Sequence, residues 1–142
     1  RTVDAILRER GLETVVVDLN MDTIQRLTED GRAAIYGDAY NIEVMAQALA
    51  RATHVVITLP HGQNRNPLIT AAKLINPHIR VLVRAHYLGE QAELMQAGAD
   101  AACYEEAEAA VALARLVLVD AGADGEAVER RTRELRERLA GG

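Results

Sequence analysis

Apolar positions along this chain follow two alternating rhythms. There are short continuous aliphatic runs, and there are longer stretches in which an apolar residue returns every three or four positions. The first rhythm predicts strands buried on both faces, the second amphipathic helices. Arg1 to Arg10 reads as a helix with Val3, Ile6 and Leu7 on one face and Gly11 as its stop. Thr14 to Asp18 reads as a buried strand, and a helix with Met21, Ile24 and Leu27 inward follows it, ended by Gly31. Ala33 to Tyr36 is a short strand, and Asn41 is the N-cap of a helix carrying Met45, Ala48 and Leu49. His54 to Leu59 is the next buried strand. A loop with Pro60 and Gly62 leads into a helix marked by Leu68, Ile69, Ala72 and Ile75, with Pro77 beyond its end. Val81 to Arg84 is a strand, Leu88 to Ala97 a helix stopped by Gly98, Ala101 to Tyr104 a last short strand, and Glu105 to Ala121 a long helix.

Strands separated by helices predict parallel pairing with right-handed crossovers, hence an α/β, Rossmann-like, doubly wound parallel sheet. In a dinucleotide-binding unit, a strand and a glycine-rich turn precede the helix that here opens at residue 1. That strand would lie between the Thr14 and His54 strands and pair with both. The expectation is that the first strand and glycine loop are missing from this sequence, supplied by residues before Arg1 or by another chain. No boundary is visible before Gly122, so residues 1–122 read as the nucleotide-binding domain and 123–142 as a charged terminal helix. In that helix, Glu126–Arg130, Glu129–Arg133 and Glu134–Arg138 have the favourable i,i+4 order, and Val128, Leu135 and Leu139 make a narrow stripe. It reads as a solvated terminal helix or, alternatively, as a linker or docking helix.

Composition narrows the class. The 142 residues hold 49% apolar and 26% charged residues, enough for one core and a charged surface. With no Phe or Trp, that core is aliphatic. A net charge of −5 argues against a nucleic-acid-binding surface. Cys103, the single cysteine, rules out an internal disulfide and reads as inert core. His54, His61, His78 and His86 show no metal-ligand spacing on one helix, and no nucleophile motif appears.

In an open parallel sheet, ligands bind beyond the carboxyl ends of the strands, so the residues that end each strand are the candidates. Asp18 can accept from both hydroxyls of an adenosine ribose and would repel a 2′-phosphate, while Asn20 and Asp22 are available to cap the next helix. Gly37, Asp38 and Ala39 form a low loop with room for a flat ring, where Asp38 could accept from an adenine amine; a plain Asx turn is the other reading. Thr58, Leu59 and Pro60 end a further strand and line the same side, or form a simple strand exit. Arg84 needs an anion, either a ligand phosphate or a carboxylate across a subunit interface. Arg1 and Thr2 open the first helix, whose free N–H groups favour a phosphate.

At these positions the chain resembles a known family. Asp18 after three valines, Tyr36-Gly37-Asp38-Ala39, Val56-Ile57-Thr58-Leu59-Pro60, Val83-Arg84-Ala85-His86-Tyr87 and Ala97-Gly98-Ala99-Asp100 occur in the order and spacing of the Trk-type nucleotide-binding, or regulator-of-potassium-conductance, domain. The nearest resemblance is to the C-terminal domain of Kef/YbaL-type cation–proton antiporters, over residues 1 to about 118. The resemblance implies a homodimeric Rossmann domain on the cytoplasmic face of the inner membrane. It would regulate a transmembrane transport domain of the same or an associated chain by binding NAD(H) or an adenosine phosphate such as AMP or ATP. Asp18 and Asn20 would then hold the ribose, with Leu19 between them in the same cofactor-binding set, Asp38 and Ala39 the adenine, and Thr58 to Pro60 the cleft wall. Arg1 matches a phosphate-side position. The expectation is a regulatory domain and not an enzyme; the alternative is an NAD-dependent oxidoreductase fragment lacking its substrate domain.

Overall fold

The structure, a computed structural model, describes residues 2–60 and 62–140. Its elements alternate as the apolar rhythm requires: α1 (Thr2–Glu9), β1 (Val15–Asp18), α2 (Met21–Glu29), β2 (Ala33–Tyr36), α3 (Ile42–Leu49), β3 (His54–Ile57), α4 (Asn66–Ile75), β4 (Arg80–Ala85), α5 (Gln91–Ala97), β5 (Ala101–Tyr104), α6 (Glu105–Asp120) and α7 (Gly125–Ala140). The stops are the expected ones. Gly31 and Gly98 follow α2 and α5 with φ of 68° and 108°, left-handed values that a residue with a Cβ adopts at a cost. Asn41 caps α3, its side-chain oxygen accepting from the N–H groups of Glu43 and Val44.

The chain divides into two compact units. One runs through Thr53 and takes back Thr70–Ile79; the other comprises His54–Ile69 and the chain from Arg80 onward. The first holds a two-stranded sheet in which β1 and β2 run parallel, Val15 opposite Ala33 and Asp18 opposite Tyr36. The second holds a three-stranded parallel sheet in the order β3-β4-β5, with Ile57 opposite Val83 and Ala85 opposite Tyr104. Among the described residues, β1 therefore bonds to β2 alone and β3 to β4 alone.

Core residues are aliphatic. Ile24, Leu27, Met45 and Leu49 are buried from the first unit; Ile57, Val81, Val83, Ala85, Leu94 and Val111 are buried from the second. Three sequence expectations about burial need correction. The valine run of β1 is not buried on both faces: Val15 is 51% exposed, and so is Met21 at 53%. Continuous apolar character predicts burial only where both faces and both edges are covered, and α2 is the helix packed on this pair. Cys103 is also no core residue. It is exposed, because β5 is an edge strand whose side chains alternate, and Tyr104 takes the inward position.

The segment expected as one helix from Leu88 begins instead as a 3-10 turn, Leu88–Glu90, before α5. Glu90 sets this start: its Oε1 accepts from the backbone N–H of His86 at 2.9 Å and of Tyr87 at 2.8 Å. The charged terminal helix α7 is not free in solvent. It packs on α6 through Val128, 1% exposed, and Thr132, 4% exposed. Its charges reach across to α6 as well as along the helix: Arg136 forms a fork on Glu108, both contacts 2.9 Å, and Glu129 pairs with Arg115, while Arg131 pairs with Glu134 within α7 at 3.2 Å. Packing brings α6 carboxylates and guanidiniums within reach of α7, and an exposed i,i+4 pair, worth only about 0.3–0.5 kcal/mol, does not hold its partners against that.

Candidate functional site

The first unit places two carboxylates at the carboxyl ends of neighbouring parallel strands. Asp18 is the last residue of β1, and Asp38 stands two residues beyond the end of β2. The strand ends are tied together by the Gly37 N–H, which donates to the Asp18 carbonyl at 3.1 Å. Each acid folds its own following backbone into an Asx turn. Asp18 Oδ1 accepts from Asn20 N at 2.9 Å, and Asp38 Oδ1 accepts from Tyr40 N at 2.9 Å. The second oxygen of each accepts nothing among the described residues. The turns therefore orient both carboxylates without consuming them.

Leu19 and Asn20 lie exposed in the Asp18 turn. Asn20 is the N-cap of α2, its Oδ1 accepting from Thr23 N at 3.1 Å, so its amide nitrogen is the group left to face a ligand. Gly37 has a packing reason for being glycine. A Cβ there would stand 2.8 Å from Val44 Cγ2, because α3 leaves the loop directly over it. Ala39 is half-buried in the same loop. Thr2 opens α1. Arg1, the expected phosphate-side residue, lies outside the described residues.

Thr58, Leu59 and Pro60 belong to the second unit, immediately after β3; Thr58 and Pro60 are exposed, and Leu59 is half-buried. Arg84, in β4, is half exposed and already has an anion within its own chain: Nε donates to Glu105, the first residue of α6. His86 adds a second contact to the same carboxylate, Nδ1 to Oε2 at 2.7 Å. Hydrogen bonds from Arg84 and then His86 hold the Glu105 carboxyl below the usual glutamate range. Glu105 was not foreseen as part of this cluster. The available signal was an acid placed directly after a strand, opening a helix, opposite an arginine that ends the neighbouring strand.

Among the described residues, no group of three or more His, Cys, Asp or Glu side chains is disposed to hold a metal ion. No described helix is long and apolar enough to cross a membrane.

Parallel strands joined by helices, with acids at the strand carboxyl ends, define a Rossmann-like α/β domain. Comparison with known proteins makes this specific. The family model of the TrkA-N domain matches residues 1–105, and the chain belongs to that family. It is 32% identical over 115 residues to the putative cation/proton antiporter YbaL of Escherichia coli K12, an alignment covering 80% of this chain and 20% of YbaL. The chain thus spans about a fifth of the length of that relative. Superposition on the crystal structure of the TrkA-N domain of the inner membrane protein YbaL from E. coli has a TM-score of 0.76 at 29% identity, covering 81% of this chain and 86% of that one. The AMP-bound Kef C-terminal domain of Shewanella denitrificans shares the fold, with a TM-score of 0.60 at 16% identity over 91% of this chain and 98% of that one.

Proposed function

We propose that this chain is the regulatory nucleotide-binding domain of a monovalent cation–proton antiporter. It binds NAD(H) or an adenosine phosphate at the carboxyl ends of β1 and β2, works as a homodimer on the cytoplasmic face of the membrane, and carries out no chemistry on its ligand. The observation that carries the reading is the pair Asp18 and Asp38, each oriented by an Asx turn with one oxygen open. Asp18 accepts from the ribose hydroxyls, and its charge disfavours a 2′-phosphate. Asp38 accepts from the adenine amine beside Gly37 and Ala39. The family resemblance adds Thr58, Leu59 and Pro60 to the residues assigned to the ligand, and the first turn of α1 (Arg1, Thr2) to its phosphate end. Support comes from family membership and from the likeness to YbaL, a putative cation/proton antiporter. The AMP carried by the Kef domain supports the ligand class.

A nucleotide can regulate transport only through different affinity for two conformations of the domain, so occupancy must shift a population that the transport domain reads. The test is titration calorimetry of the full-length protein with AMP, ATP, NAD, NADH and NADPH. Tight binding of adenosine ligands with NADPH excluded, and loss of binding on Asp18→Asn, is the expected result. Failure of all five ligands to bind would overturn it.

A further inference from the structure

A hollow of about 280 Å³ opens in the second unit between the loop leading into α4 and the start of α5. None of the residues lining it belongs to the set assigned to the nucleotide, so what it holds is a separate matter. Apart from Gly62 and the buried Leu94 its lining is polar: Gln63, Asn64, Arg65 and Asn66 from the loop and the start of α4, Glu90 and Glu93 from the segment that opens α5. Arg65 stands out chemically, because a guanidinium 94% removed from solvent needs its donors met. The residue is 6% exposed. Its Nη1 donates to Glu90 Oε2 at 3.1 Å, and its buried Nε donates to nothing. Glu90 has little left to offer, since its other oxygen already serves two backbone N–H groups. One carboxylate oxygen therefore serves a group with five N–H donors.

In the same lining, Glu93 Oε1 accepts from Asn66 Nδ2 at 2.5 Å, and its Oε2 accepts nothing among the described residues. The hollow is thus lined by a donor-rich, under-satisfied guanidinium and by a half-used carboxylate. A simple anion would meet Arg65 but also two carboxylates, Glu90 and Glu93, one positive against two negative charges among the described lining residues. A simple cation would meet Glu93 but leave Arg65 unserved. A molecule that carries both an acceptor anion and an ammonium satisfies the two ends together. At about 280 Å³ the hollow has room for a free amino acid together with water.

We propose that this hollow is a binding site for a small α-amino-acid zwitterion, whose carboxylate accepts from Arg65 and whose ammonium donates to Glu93, with Asn64 and Asn66 on its polar flanks. Binding would link the loop before α4 to α5 and so give the domain a second ligand input beside the nucleotide.

The test is a two-dimensional ¹H–¹⁵N NMR titration of the full chain, following the arginine Nε–H and side-chain amide signals. The probes are glycine, L-alanine and L-glutamine, with sodium acetate and methylammonium chloride as single-charge controls. Expected are saturable shifts at Arg65 and Asn66 with the amino acids, and an affinity at least about tenfold weaker for either control. Glu93→Gln keeps an acceptor for Asn66 and removes the charge; it should weaken amino-acid binding about tenfold or more. Arg65→Lys keeps the pair with Glu90 but lacks the planar fork, and should do the same. No shift with any amino acid up to about 50 mM, an equal response to acetate, or unchanged affinity in Glu93→Gln would each overturn the proposal.

Discussion

Gly37 lies so close to Val44 that a Cβ on the glycine would sit 2.8 Å from Val44 Cγ2 and 3.1 Å from Cγ1. The glycine backbone is not in the left-handed region, so conformational freedom is not why it is glycine. The contact lets α3 leave the strand end at once and holds the Asp38 loop down on the end of β2. Valine is stiff about χ1 and cannot swing its methyls away at low cost.

Gly37→Ala should therefore destabilise the domain by about 1–3 kcal/mol through overpacking. Val44→Ala removes both contacting methyls. The double variant Gly37→Ala/Val44→Ala should be less destabilised than the sum of the two singles, which urea unfolding would measure. Strict additivity would mean that the contact is relieved elsewhere.

Cys103 is exposed, yet its thiol is pushed above its ordinary value by partial burial first and then by the charges of Glu108 and Glu105. The thiolate is the reactive form, so this cysteine should react with a maleimide or disulfide reagent more slowly at neutral pH than a free cysteine peptide does. Replacing Glu105 and Glu108 with Gln should raise the rate. A wild-type rate equal to that of the peptide would show that the local negative charge has no hold on the thiol.

The order and ends of the elements were legible in the sequence because they rest on local chemistry. The Asn41 cap, the glycine stops after α2 and α5, and the limits of Ala33–Tyr36 and Ala101–Tyr104 all follow from near neighbours. Strand-end acids were legible for the same reason, since a strand that ends in Asp18 puts that acid at the carboxyl edge. What escaped depends on distant partners. Nothing near Arg84 indicates Glu105, 21 residues on, and nothing near Arg65 indicates Glu90, 25 residues on. The charged pattern of α7 read equally well as intrahelical pairs until α6 was packed against it. A three-valine run could not reveal that Val15 stands half exposed.

Asp100 closes the turn between α5 and β5 by a reciprocal pair of bonds with Val81. Its Oδ2 accepts from Val81 N at 2.7 Å, and its own N–H donates to the Val81 carbonyl at 2.8 Å. Val81 is fully buried, so Asp100→Ala would leave its backbone N–H without the acceptor that satisfies it. The expected loss is about 1–3 kcal/mol, read by thermal or urea unfolding. Asp100→Asn keeps an acceptor and should recover much of it. If Asp100→Ala proved neutral, water must replace the carboxylate at that N–H.

The packing of α7 on α6 should respond to acid, and the sign follows from Glu108. Hydrogen bonding from Arg136 holds the Glu108 carboxyl below its ordinary value of 4.5, with burial opposing weakly. A carboxylate whose folded value is depressed binds protons more readily in the unfolded chain. Its stabilisation is thus complete above the ordinary value and is lost as pH falls through the depressed one. The pair is largely exposed, so the effect is modest and screened by salt. Val128, 1% exposed, supplies the apolar part of the contact, and Val128→Ala should cost roughly 1.5–2.5 kcal/mol. The protection of α7 amides against hydrogen exchange, taken relative to the intrinsic exchange rate at each pH, should therefore fall on acidification below pH 4.5. Glu108→Gln should blunt that response, and Val128→Ala should raise exchange at every pH. An α7 whose exchange ignores both variants would mean that it is held by contacts other than Val128 and the Arg136–Glu108 fork.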